Sequence, residues 1–254
     1  MDKKPNHYDE LIESIRRWAV NASDVQAVVI IGSRARAARP ADEFSDLDLL
    51  VVATDIDRFY QTTDWLQAIG TPWLWFDEQT PAGMMERRVL FDQALDVDFV
   101  FMPLSDLQNS TNDLALSTLQ RGYRVLVDKV GISHDLKPVH AAGTKAVKPT
   151  ESEFANDVND FWFHTVWLTK KLLRGEVWMA KSCLDGYLKR ILLRMAEHHA
   201  HIKNGWDYDT WFDGRFFDSW ADPTVLKGIR YAYAHYDEDD IIRALRATME
   251  LFRT

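Results

Sequence analysis

Apolar and polar residues repeat with two different periods along this chain, and the change comes past its middle. Residues 8–22 carry Leu11, Ile12, Ile15, Trp18 and Ala19 at helical spacing, which predicts an amphipathic helix. Residues 25–31 and 47–53 are apolar at nearly every position, the pattern of strands covered on both faces. A helix is predicted over 55–69, with Asp55 as its cap, and a short strand over 73–76. Residues 87–91 and 95–102 read as a hairpin about Asp92-Gln93; a helix starts at Ser105, and a last strand covers 123–127. Strands and helices mix without strict βαβ order, so the class is α+β. Residues 134–150, with Pro138, Gly143 and Pro149, have little periodicity and read as a linker. Everything after is helical: 154–174, apolar nearly all round and expected to be buried on several sides, then 176–199, 223–236 and 238–252. The aromatic, acidic stretch 206–213 connects two of these helices. The expected organisation is an N-terminal domain over 1–140, a mixed β-sheet with flanking helices, and an all-helical bundle over 150–254.

Composition narrows the class. At 254 residues the chain can bury two small cores. No apolar run reaches the roughly 18 residues that cross a membrane. The start, Met1-Asp2-Lys3-Lys4-Pro5, lacks the apolar stretch of a signal peptide, so a cytoplasmic protein is expected. The single cysteine, Cys183, permits no internal disulfide and fits a reducing compartment. His198-His199-Ala200-His201 reads as a surface cluster at a helix end. The net charge of −9 argues against a general nucleic-acid binder, which would present a basic face.

The chemistry concentrates at the ends of the first two strands. Gly32 and Ser33 follow the first apolar run, and Asp46 and Asp48 open the second. Alternation places Asp46 and Asp48 on one strand face. Paired carboxylates beside a buried strand repel each other and resist desolvation, so something cationic is needed. Mg²⁺, which binds through one or two carboxylates plus substrate phosphates, is the natural compensator. Gly32 lets the backbone approach a ligand, Ser33 reads as a helix N-cap able to meet phosphate, and Arg34 adds a positive charge. An ordinary strand-turn-helix junction explains Gly32-Ser33 by itself. The later Asp-x-Asp on a buried strand is what favours a site.

Gly32-Ser33, a loop and Asp46-x-Asp48 resemble the signature of the polymerase-β-like nucleotidyltransferase superfamily. Within it, the chain resembles the streptomycin (aminoglycoside 6-) adenylyltransferase family. The resemblance continues in Val97-Asp98-Phe99-Val100-Phe101-Met102-Pro103-Leu104, in Phe161-Trp162, Lys170, Arg174-Gly175-Glu176, Ala180-Lys181 and Asp185, and in the ending Met249-Glu250-Leu251-Phe252. It spans nearly the whole chain. The aspartates are superfamily evidence; the helical half points to the family.

The resemblance implies an enzyme that uses Mg²⁺ and ATP and transfers AMP to a hydroxyl of an aminoglycoside, streptomycin first, releasing pyrophosphate. It implies a catalytic domain at 1–140 and a substrate-binding domain at 150–254. Asp46, Asp48 and Asp98 would be catalytic and hold metal, with Asp98 a ligand, a general base, or both. Asp96 shares the face of Asp98; the family spacing selects Asp98. Gly32, Ser33, Arg34, Lys170 and Arg174 would bind the nucleotide, and Asp185 and Glu176 the acceptor. Each helical-half residue has a plainer reading. Lys170 and Arg174 can be snorkelling side chains at a helix end, and Lys181, Asp185 and Lys189 a surface ion ladder. Trp206, Tyr208, Trp211, Phe216, Phe217 and Trp220 read as packing before stacking on a ligand. Small-molecule partners, no nucleic acid, no membrane, and a monomer or weak homodimer are expected. A lincosamide is an alternative acceptor. A nucleotidyltransferase-fold antitoxin is the alternative of another class, disfavoured by the fused helical half.

Overall fold

The computed structural model describes residues 7–80, 83–108, 119, 121–134, 136 and 146–254. The chain divides into two compact units, residues 1–144 and 145–254. Most of the expected linker, 134–150, lies outside the described residues.

The first unit is built on a six-stranded sheet in the order β3-β4-β5-β2-β1-β6. The strands are β1 (Val25–Ile31), β2 (Leu47–Ala53), β3 (Pro72–Gln79), β4 (Met85–Phe91), β5 (Leu95–Pro103) and β6 (Arg124–Asp128). β2 and β5 pair in parallel and every other neighbouring pair is antiparallel, so the sheet is mixed. Among the described residues the helices of this unit are α1 (His7–Asn21), α2 (Asp57–Gln61), α3 (Asp64–Gln67) and α4 (Leu104–Gln108). The central strands are apolar on both faces because both are covered. Val28, Ile30, Leu49, Val51, Phe99 and Phe101 pack with α1 and with Phe59 and Trp65. Val29, Leu50, Val52, Val100 and Met102 form the opposite layer. Trp18 stacks on Trp65 and Phe59 on Phe101, with ring centroids 5.1 and 4.7 Å apart.

The expected helix over 55–69 is two helices broken at Thr62, which is extended. A buried arginine on β4 fixes the break. Arg87 Nη1 donates to the carbonyls of Phe59 and Thr62 at 2.6 and 2.9 Å, and Nη2 to that of Tyr60 at 2.8 Å. Carbonyls that a continuing helix would use are taken by a side chain from elsewhere. The hairpin expected about Asp92-Gln93 forms, with Phe91 facing Leu95.

The second unit is helical: α5 (Glu151–Leu173), α6 (Val177–Ser182), α7 (Leu188–Asn204), α8 (Phe217–Trp220), α9 (Pro223–Ile229) and α10 (Glu238–Arg253). Its core gathers Phe161, Leu168, Leu184, Leu188, Ile241 and Ala244. Thr150 and Glu153 form a capping box that starts α5. That helix is less buried than its composition implies: Phe163, Val166 and Leu173 are exposed. The long helix expected over 176–199 is interrupted by a π turn, Cys183–Tyr187. The helix expected over 223–236 stops at Ile229. Beyond it, Arg243 donates to the carbonyls of Tyr231 and Tyr233, Thr248 to that of Ala232, and Lys181 to that of Ala234. The expected histidine surface cluster is half wrong: His201 is buried and stacks on Trp206. Among the described residues, no helix is long and apolar enough to cross a membrane.

Candidate functional site

Three carboxylates converge where β1, β2 and β5 run side by side. The parallel register sets Asp48 of β2 against Asp98 of β5. Asp46 ends the loop before β2. One ligand atom from each of Asp46, Asp48 and Asp98 lies within 4.8 Å of the others. Asp98 is buried, and the other two are half-buried. Like charges this close are costly in a low dielectric unless a cation joins them. All donors are hard oxygens, which suit Mg²⁺.

Gly32 fits this cluster for a reason beyond flexibility. Its φ is +66°, and a Cβ added there would lie 1.9 Å from Asp48 Oδ2. Only glycine brings the turn after β1 so close to the carboxylate. Ser33 is not an N-cap; it lies within a one-turn 3₁₀ segment, Gly32–Arg34. Its Oγ is buried and has no hydrogen-bond partner among the described residues. A buried hydroxyl without a partner, on the residue after Gly32, is a donor left to be satisfied.

Arg34 has its donors on the loop. Its Nε donates to the carbonyl of Asp46 at 3.0 Å and its Nη2 to that of Ser45 at 2.5 Å. The guanidinium also lies 3.5 Å from the centre of the Tyr8 ring. Arg34 thus anchors the segment that carries Asp46. Tyr8 in turn donates to Asp96 Oδ1 at 2.7 Å. Asp96 is thereby tied to α1.

Sequence reasoning missed Arg88. It faces Asp98 across the β4–β5 hairpin and forks onto it: Nε to Oδ1 at 2.9 Å and Nη2 to Oδ2 at 2.7 Å. Its Nη1 reaches Glu78 Oε1 at 2.9 Å. Burial pushes the Asp98 carboxyl up, and the Arg88 fork offsets part of that rise. Burial, followed by the charge of Asp98, pushes Glu86 up to about 7. The signal was available. Counting back from Phe91 opposite Leu95 puts Arg88 opposite Asp98, two residues beyond Glu86.

In the second unit two of the expected ligands, Arg174 and Glu176, are each other's partners. Glu176 accepts from Lys171 at 2.7 Å and from Arg174 at 2.6 Å. Both cations hold its carboxyl below the ordinary range. Lys170 is exposed on the last turn of α5. Asp185, in the π turn, is ion-paired to Lys181, while its Oδ1 is buried without a hydrogen-bond partner among the described residues. Lys189 leaves the expected surface ladder. It is buried and donates to the carbonyl of Leu184 and to Thr248 Oγ1, each at 3.0 Å. Burial pulls its pKa down to about 8. Of the aromatic stretch, Trp220 is buried in a small cluster with Ala196, Ala200 and Ala221, which Tyr208, Trp211 and Phe217 pack against.

The family described as streptomycin adenylyltransferase matches residues 6–254 of this chain. An aminoglycoside 6-adenylyltransferase of Bacillus subtilis is 23% identical over 96% of this chain and 87% of its own length. Those of Campylobacter jejuni and Staphylococcus aureus are 22% and 24% identical, over 96% and 83% of this chain and 85% and 76% of their own lengths. A crystal structure of an aminoglycoside 6-adenyltransferase from Bacillus subtilis aligns over 99% of this chain and 88% of its own, at 18% identity and a TM-score of 0.41.

Proposed function

The chain belongs to the streptomycin adenylyltransferase family, and on that premise we propose that it transfers AMP from ATP to a hydroxyl of an aminoglycoside, streptomycin first, releasing pyrophosphate. It is a nucleotidyltransferase. The observation that carries the reading is the meeting of Asp46, Asp48 and Asp98 beneath a glycine that only glycine can replace.

Asp46, Asp48 and Asp98 would hold Mg²⁺. The cation, when bound, supplies charge neutralisation for the triphosphate. The remaining roles fall to the chain's own groups. Ser33 Oγ donates to a phosphate oxygen, and the missing side chain at Gly32 lets Asp48 lie against the turn that carries it. Asp98 accepts the proton of the acceptor hydroxyl as its oxygen bonds to the α-phosphorus; the bond to the β-phosphate oxygen breaks and pyrophosphate departs. Burial favours this role for Asp98, because it raises the basicity of the carboxylate. Arg34 keeps Asp46 in place through the loop carbonyls. Lys170 offers its ammonium to the nucleotide phosphates. In the helical domain, 150–254 in our reading, Asp185 meets a guanidinium or ammonium of the acceptor through its unpartnered Oδ1. Arg174 and Glu176 keep their mutual pair and act near the nucleotide and the acceptor only by exchanging it. ATP as donor implies a cytoplasmic setting.

A pyrophosphate-release screen tests this, with ATP, GTP, CTP and UTP against aminoglycosides and lincosamides. Release with ATP and streptomycin is expected. Release only with a lincosamide would transfer the reading to that acceptor, and release with none would refute it.

A further inference from the structure

We propose that Arg88 is a positioning residue of the metal site: its guanidinium is the counter-ion that holds Asp98 oriented in the metal-free protein, and its charge sets how much divalent cation the site requires. The inference rests on reading the three carboxylates as a metal site.

The sheet register builds the device. Asp48, Asp98, Arg88 and Phe76 lie in one line across β2, β5, β4 and β3. Three carboxylates thus converge from one side, and one cation enters the line from the other. The Arg88 fork fixes the plane of the Asp98 carboxylate, since both oxygens accept from a rigid planar group. A carboxylate has about four lone-pair sites, so a fork on two leaves others for a cation. The burial of the two partners is unequal: the Asp98 side chain is 8% exposed, that of Arg88 38%. Asp98 needs its partner in the dry interior, whereas Arg88 can loosen at little desolvation cost. A second acceptor is ready for it, because Nη1 already reaches Glu78. Arg88 and the incoming cation carry the same sign and share Asp98. Its presence therefore weakens cation binding while keeping the ligand aligned.

The two effects separate by substitution. Arg88→Met removes the charge and the fork; Arg88→Lys keeps the charge and loses the fork. The full chain, freed of metal, is titrated with Mn²⁺ and followed by loss of the free-ion electron paramagnetic resonance signal, with Asp48→Asn marking the site. Turnover is measured separately at saturating Mg²⁺. Arg88→Met is expected to bind Mn²⁺ roughly tenfold tighter, as one repelling charge nearby is removed. Arg88→Lys is expected to bind within about twofold of wild type. Both should lose about tenfold in kcat with little change in the KM for ATP, because Asp98 is no longer held. Equal or weaker Mn²⁺ binding by Arg88→Met overturns the proposal, as does wild-type turnover in Arg88→Lys or absence of Mn²⁺ binding in every protein. If Arg88→Met does not fold, Arg88→Gln takes its place in the titration, judged by the same criterion. If no acceptor is adenylylated, the Mn²⁺ titration alone decides: the acceptor reading fails and this one stands or falls by itself.

Discussion

The sheet unit and the helical unit both concentrate charge, and they do so in opposite ways. In the sheet unit, Asp46, Asp48 and Asp98 converge with one sign, and the Arg88 fork holds Asp98. In the helical unit the charges alternate and satisfy each other: Lys171 and Arg174 with Glu176, Lys181 with Asp185. Opposite charges in contact need nothing more and contribute little when exposed. Like charges gathered at one end of neighbouring strands repel each other and favour a cation among them. The same residue types therefore make a candidate cation site in one unit and mainly local structure in the other. Asp185 lies between the two cases, with one oxygen paired and the other buried without a partner.

The largest break in this contrast comes from the triad. Asp48→Asn is expected to lower turnover by about a thousandfold or more, as removal of a group central to transition-state charge does. The metal-free variant should be no less stable than wild type, because it loses one of three mutually repelling charges. Turnover and urea midpoints check both parts; a variant that is active, or unstable without metal, would put Asp48 among ordinary structural charges. Gly32→Ala should fail differently. Its methyl would displace Asp48 and sit at positive φ, so activity and roughly 1–3 kcal/mol of stability are lost together.

A buried cation in the helical unit sharpens the contrast through pH. The native state releases the Lys189 proton near pH 8, while the unfolded chain holds it to about 10.5. Below about pH 8 both states carry the proton and the full cost of burying the charge is present. Between about 8 and 10.5 the unfolded state binds more protons, so stability from this residue rises with pH. The span corresponds to about 3 kcal/mol. Asp185, Lys181 and Cys183 also act on this lysine; all three remain in Lys189→Met. Urea unfolding of both proteins should therefore show the wild type gaining on the variant across that window. Parallel curves would contradict the assignment. The smallest effect is expected at the exposed pairs: Arg174→Gln should change stability by less than about 0.5 kcal/mol and leave turnover intact. A large loss of ATP affinity would instead make Arg174 a nucleotide ligand.

The cluster of carboxylates was legible in part because strand alternation is a short-range rule. Strand alternation joined Asp46 to Asp48, but the apolar run after Leu95 left Asp96 and Asp98 equally eligible, and only the family spacing selected Asp98. The strands and the β4–β5 hairpin were legible for the same reason. What periodicity could not show were side chains that take over backbone hydrogen bonds. Arg87 ends α2, Lys189 caps a carbonyl of the π turn, and Arg243, Thr248 and Lys181 hold the segment after α9 in place of helical bonds. Each donor is distant in sequence from its acceptor or belongs to another element, so the local pattern reads as continuous helix. Ser33 was misplaced as a cap because the turn after β1 is one 3₁₀ turn and not the start of a helix. Arg88 was missed although its register was countable, since a charged strand residue is ordinarily assigned to solvent.

The most direct test is the product itself. Wild-type protein and Asp48→Asn are incubated with ATP, Mg²⁺ and streptomycin, and the drug is weighed by mass spectrometry. The account predicts that the wild type adds the mass of one AMP to streptomycin, only when Mg²⁺ is present, and that Asp48→Asn leaves the drug unmodified. An unmodified drug with the wild type, or equal modification by the variant, would contradict it.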